Sequence, residues 1–111
     1  MSESWFVYIL ECENGSFYTG FTSDIARRLK EHVNGTIKSK YTRSFKPVCI
    51  AGCWHCAGSK ANAMTVERLI KGMDRKMKET LVKNPDILAG IIHQRTGSEI
   101  NVVGYRPEWP D

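Results

Sequence analysis

The chain has no run approaching the ~20 apolar residues that a membrane-spanning helix needs, and no leading apolar segment of the signal-peptide kind. Those absences argue against export and membrane insertion, so the expected setting is the cytoplasm, or the nucleus in a eukaryotic cell. Cysteine is sparse, at four residues: Cys12, Cys49, Cys53 and Cys56. Without a secretory signal these read as free thiols rather than a disulfide framework. Cys53-Trp54-His55-Cys56 has the spacing of half a zinc site, but no second CxxC pair exists. A structural zinc ion commonly takes four ligands from two such pairs. Cys12, Cys49 and His55 would have to complete the set through tertiary contact alone, so the pattern argues against zinc. No βαβ pattern surrounds the motif, which argues equally against a thioredoxin-like role. There is no internal repeat, linker or low-complexity stretch.

What is present is one domain's worth of chain, 111 residues with 41% hydrophobic and 25% charged residues. That is ordinary for a globular protein with its own core. The net charge of +4 is modest, and its placement says more than its size. Residues 1–21 contain three acidic groups and neither Lys nor Arg, whereas residues 22–47 contain seven basic and two acidic groups. A second basic block spans residues 60–83, with seven basic and three acidic groups, and the last 28 residues return to −2. Two basic blocks suit a polyanionic partner, and equally suit a solvated surface.

In order, Trp5 to Glu11 reads as a strand, with Val7 and Ile9 on one face and Phe6, Tyr8 and Leu10 on the other. Asn14-Gly15 supplies a hairpin turn, and residues 17–22 form the return strand, bringing Tyr18 near Tyr8. Thr22-Ser23-Asp24 is an N-cap cluster for a helix to about Val33, closed by Asn34-Gly35. At 100° per residue, Ile25 and Leu29 form its core stripe, and Arg28 and His32 lie together on one flank. Arg27 and Lys30 point away. Residues 34–47 form a polar loop in which Lys38, Lys40, Tyr41, Thr42 and Arg43 offer cations and an aromatic ring. The loop is either plain solvated surface or a track for phosphates and bases.

A third strand is expected over Val48 to Trp54, followed by a turn at His55 to Ser59. A helix from Lys60 to about Lys71 carries Ala63, Val66 and Ile70 in one stripe, continued by Met73 and Met77. Glu67 lies at the margin of that stripe. By spacing alone, an i,i+4 ion pair with Lys71 is the simpler reading of it. Gly72 interrupts the run and Asp74 caps a second helix to Lys83. Asn84-Pro85 then stops the chain before a short helix ending at Gly97. Ile100 to Val103 is extended in character. The expected fold class is α+β: a small three-stranded, mainly antiparallel sheet flanked by helices in the order β-β-α-β-α-α. Residues 1–84 make the domain, and residues 85–111 are an extension packed on it or trailing from it.

Taken together, Phe6-Val7-Tyr8, Tyr18-Thr19-Gly20, the helix Ile25 to His32 with Asn34-Gly35, Lys40-Tyr41-Thr42-Arg43, Lys46-Pro47-Val48 and Val66-Glu67-Arg68-Leu69-Ile70-Lys71 resemble the GIY-YIG nuclease superfamily, most of all its small single-domain members. The ordered set at these spacings carries the resemblance, over roughly residues 5–83. One departure is that Phe6 stands where the family's first motif opens with glycine. Cys53 to Cys56, and everything after about residue 84, have no counterpart to transfer.

The resemblance implies a divalent-metal-dependent endonuclease that hydrolyses DNA phosphodiester bonds in repair or recombination. Its metal, Mg²⁺ or Mn²⁺, would be held by Glu67. Arg28 would lie by the scissile phosphate, Tyr8 or Tyr18 would orient or deprotonate the attacking water, and His32 would relay a proton or contact a metal-bound water. A tyrosine base at neutral pH needs a depressed pKa, which Arg28 and the metal would supply. With no separate DNA-reading domain, the expected substrates are branched or single-stranded DNA or DNA of any sequence, unless a targeting protein partner directs the enzyme. A binding protein of the same fold with little or no cleavage is the alternative.

Overall fold

The computed structural model describes residues 4–36 and 45–110. The elements are β1 (Ser4–Cys12), β2 (Phe17–Thr22), α1 (Ile25–Asn34), β3 (Pro47–Ala57), α2 (Lys60–Lys71), α3 (Arg75–Lys83), a 3₁₀ turn (Pro85–Ile87), α4 (Leu88–Thr96) and β4 (Val102–Gly104). The strands form one antiparallel sheet in the order β2-β1-β3-β4. The α+β class follows the sequence reading, but the sheet has four strands rather than three.

β1, like β3, is paired on both sides, and as an inner strand of the sheet it has both faces covered. Val7 and Ile9 face a large cluster with Trp54, Ala63, Val66, Ile70, Leu81, Leu88 and Ile92. Tyr8 and Leu10 face a smaller one with Ile25, Leu29 and Cys53. The strict alternation along β1 thus makes two cores, α2, α3 and α4 contributing to one and α1 to the other. Each fully buried aliphatic side chain in them contributes about 1.5–3 kcal/mol by leaving water.

Local signals set the boundaries. The Asp24 carboxylate accepts from the Arg27 N–H at 3.1 Å, and Gly35 closes α1 in the left-handed region at φ 72°. Ser59 and Asp74 cap α2 and α3 in the same way. The expected turn at His55–Ser59 is shortened, because β3 runs on to Ala57. Trp54, His55 and Cys56 are held on one side by Val7, Phe6 and Trp5, and on the other by Gly104, Val103 and Val102. A ladder satisfied on both sides keeps a segment extended even where its sequence suggests a turn. Leu88, Ile92 and Ile100 lie in the larger core, and Trp54 Nε1 donates to the Pro85 carbonyl at 2.9 Å, so residues after 84 are built into the sheet and its packing.

Candidate active site

Tyr8 comes from β1 and lies opposite Gly20, while Tyr18 lies opposite Leu10. The two tyrosines are therefore diagonal neighbours on one face, with ring centroids 6.4 Å apart. Gly20 is there because nothing larger fits: a Cβ at that position would stand 2.6 Å from the Tyr8 hydroxyl oxygen. His32 packs edge-on against both tyrosines, at 5.7 Å and 5.3 Å between centroids. Its Nε2 is 2.9 Å from the Tyr8 hydroxyl.

Helical phase placed Arg28 and His32 together, but they differ in depth. His32 is only 1% exposed and completes the buried stripe with Ile25 and Leu29. Arg28 is half-buried at the margin, its Nε 3.2 Å from Glu31 Oε1 in an ion pair without hydrogen-bond alignment. Arg27 is exposed.

Glu67 reaches the site from α2. Its Oε1 is 3.4 Å from Lys71 Nζ, so the ion pair suggested by the spacing forms. The same carboxylate, 17% exposed, also lines a cleft of about 440 Å³ with Tyr8, Tyr18 and Arg28. Trp5, Gly20, Phe21, Thr22, Ser23 and Lys60 complete the walls. These six were not singled out from sequence. Gly20 could have been, since the hairpin register puts it opposite Tyr8. Lys38, Lys40, Tyr41, Thr42 and Arg43 lie outside the described residues.

The electrostatics of the dyad oppose free ionisation. Burial pushes the Tyr8 hydroxyl pKa up, and the nearby Tyr18 and Glu67 add to this. The Arg28 guanidinium acts against it through its charge and a side-chain hydrogen bond, without prevailing. The depressed tyrosine pKa expected from Arg28 is thus not supplied by the protein alone. Burial, and secondarily Arg28, lower the His32 pKa to about 4, so the ring is neutral at pH 7. A neutral imidazole has one bare nitrogen. The Tyr8 O–H donates to His32 Nε2 when Nδ1 carries the ring proton, and the hydroxyl oxygen accepts from Nε2 when the proton is there. Nδ1 is buried without a hydrogen-bond partner.

Glu67 is the single carboxylate of the cleft, and among the described residues no three His, Cys, Asp or Glu side chains cluster. A tetrahedral zinc site does not fit such a wall. A hard cation that keeps most of its waters and takes one or two carboxylates does. The CxxC residues point elsewhere, because an i,i+3 spacing on a strand places the side chains on opposite faces. Cys53 lies in the Tyr8 core and Cys56 in the Val7 core, and burial raises the Cys53 thiol to about 12.

The family described as the GIY-YIG catalytic domain matches residues 4–80. UPF0213 protein BH0048 of Halalkalibacterium halodurans is 46% identical over 77 residues, covering 69% of this chain and 80% of the relative. UPF0213 protein DP2720 of Desulfotalea psychrophila is 41% identical over 80 residues, 72% of each chain. A solution NMR structure of UPF0213 protein BH0048 from Bacillus halodurans aligns with 44% identity and a TM-score of 0.47, covering 72% of this chain and 83% of that one. The chain belongs to the GIY-YIG catalytic domain family.

Proposed function

We propose that this protein is a divalent-metal-dependent endonuclease that hydrolyses DNA phosphodiester bonds, selecting DNA by structure or not at all, as repair and recombination require. The observation that carries the reading is the convergence of Tyr8, Tyr18, Arg28 and Glu67 on one cleft, with His32 hydrogen-bonded behind Tyr8.

Glu67 would hold the cation, Mg²⁺ or Mn²⁺. When bound, such an ion neutralises phosphoryl charge and acidifies water. The chain's own residues do the rest. Arg28 presents a planar fork that can grip two phosphoryl oxygens at once. Tyr18, at the cleft wall, positions the attacking water. Tyr8 takes the water's proton as its own proton passes to His32 Nε2, 2.9 Å away. No free phenolate is needed at any moment, and the net proton acceptor is His32, a weak base because burial lowers its pKa to about 4. The His32 cation so formed returns its proton through the same bond as Tyr8 passes the water's proton to the leaving oxygen.

The raised Tyr8 pKa and the neutral His32 also favour a second reading, a binding protein that cuts little, because both groups rest uncharged. One experiment separates the two. Purified protein is incubated with single-stranded, duplex and branched DNA in Mg²⁺, Mn²⁺ or EDTA, beside Glu67→Ala and Arg28→Ala. Metal-dependent cutting lost in both variants supports the enzyme. Cutting that survives both assigns it to a contaminant, and binding without cutting favours the second reading.

A further inference from the structure

The sheet face that carries Tyr8 continues past the cleft as an aromatic surface. Strand register lays out two rows across this face. One runs Thr22, Phe6, His55, Val103, each paired with the next. The other runs Gly20, Tyr8, Cys53, and continues to Tyr105, whose N–H donates to the Cys53 carbonyl at 2.9 Å. Gly20, Tyr8 and Thr22 belong to the cleft wall. Phe6, next to Thr22 and two residues from Tyr8, lies about 7 Å further along the strand.

Around Phe6 the rings of His55 and Tyr105 stand at 5.3 Å and 5.1 Å, inclined at 64° and 53°. Neither of these rings lies flat on Phe6. Tyr105 is 45% and Val103 66% exposed, so this end of the sheet face is open to solvent. Phe6 and His55 are half-buried, Trp109 packs against the same smaller core as Phe6, and Tyr105 is exposed. This is a partly open aromatic face beside the cleft on which unpaired bases can stack, because every base presents a π-face whatever its identity.

We propose that Phe6, His55 and Tyr105 form a stacking platform for unpaired bases of the strand whose phosphate enters the cleft, so that the site takes single-stranded segments or the unpaired arms of branched DNA. This rests on the phosphodiester-cleaving reading above for the cleft and adds the class of substrate. Continuity fixes the occupant: a strand leaving the cleft past Thr22 meets Phe6 next, and the platform offers it rings rather than cations.

The test is binding in EDTA, where cutting plays no part. Fluorescence anisotropy compares a labelled oligothymidine with an abasic strand of the same length and with a duplex. The full-length protein is expected to bind oligothymidine about tenfold or more tightly than the abasic strand. Tyr105→Ala and Phe6→Ala each reduce that ratio toward one, while abasic binding, which reports phosphate contacts, falls much less. Because Phe6 also packs against the smaller core, Tyr105→Ala decides the matter should Phe6→Ala misfold. Equal binding of the two single strands by the unmodified protein, binding of neither, or an unchanged ratio in Tyr105→Ala overturns the proposal. Cleavage is scored separately through Glu67→Ala, so loss of the platform leaves the nuclease reading standing and the reverse also holds.

Discussion

The Tyr8 hydroxyl and His32 Nε2, 24 residues apart in sequence, meet at 2.9 Å with both side chains withdrawn from solvent. The bond ties β1 to the helix that carries Arg28, so it serves the fold and the proposed chemistry together. Tyr8→Phe keeps the ring and removes the bond, leaving Nε2 as a second unpartnered nitrogen on a buried imidazole. The expected cost is about 1–3 kcal/mol of stability, measurable by urea denaturation, with cleavage reduced by about 10²-fold or more. A Tyr8→Phe protein that cuts at the normal rate removes Tyr8 from the mechanism.

His32 gives a pH dependence with a definite sign. Its pKa is lowered from 6.5 to about 4 on folding, so between those values the unfolded chain binds a proton that the folded chain refuses. This contribution is constant above pH 6.5, declines as pH falls toward 4 by at most about 1.4 kcal/mol per unit, and levels off below. Urea midpoints across pH 4–7 should fall more steeply for the native protein than for His32→Gln. The pH profile of cleavage should show no inflection near 6.5 from this ring.

Gly20→Ala should injure the site more than the strand. The new Cβ would stand 2.6 Å from the Tyr8 hydroxyl oxygen and 2.7 Å from Cζ, and Tyr8 is fully buried with its hydroxyl bonded to His32. Overpacking of this kind costs typically ~1–3 kcal/mol. Displacement of the hydroxyl from His32 should lower kcat with KM little changed. Wild-type kcat in Gly20→Ala would show that Tyr8 tolerates displacement.

Glu67 separates stability from activity. Its ion pair with Lys71 is a partly solvated i,i+4 contact, worth roughly 0.5 kcal/mol or less. Glu67→Gln should therefore melt close to the native protein while losing Mg²⁺-dependent cleavage. A large loss of stability with retained cleavage would make the residue structural.

The neighbouring arginines make a matched pair of controls. Arg28 borders the cleft and Arg27 is exposed. Arg28→Lys preserves charge but loses the two-pronged grip, and cleavage should fall about tenfold or more; Arg27→Ala should stay within about twofold.

Much of this was legible before any coordinates. The alternation of β1 sorted Val7 and Ile9 from Tyr8 and Leu10 because a central strand must satisfy two cores, and periodicity in α1 separated Arg28 from Arg27. The fourth strand was legible only in part: residues 100–103 read as extended, but so short a run carries no signal that Val102–Gly104 pairs with the open ladder of Trp54–Cys56. The depth of His32 was also missed. Its spacing from Ile25 and Leu29 is a core spacing, but a histidine is read as polar until a partner such as Tyr8 is known. Glu67 stayed ambiguous because its two roles coexist: spacing shows the pair with Lys71, and only the tertiary fold shows the cleft.

The inner position of β1 has a consequence for assembly. A slip of one residue in its pairing would exchange the two faces wholesale, sending Tyr8 among Val66 and Ile70 and bringing Val7 to His32. Such a chain would bury a hydroxyl in the larger core and strand the imidazole against an isopropyl group. The misassembled site and the misfolded protein are therefore one species, and the pathway that discards the second discards the first. For this protein Tyr8 is its own check on the alignment of the sheet.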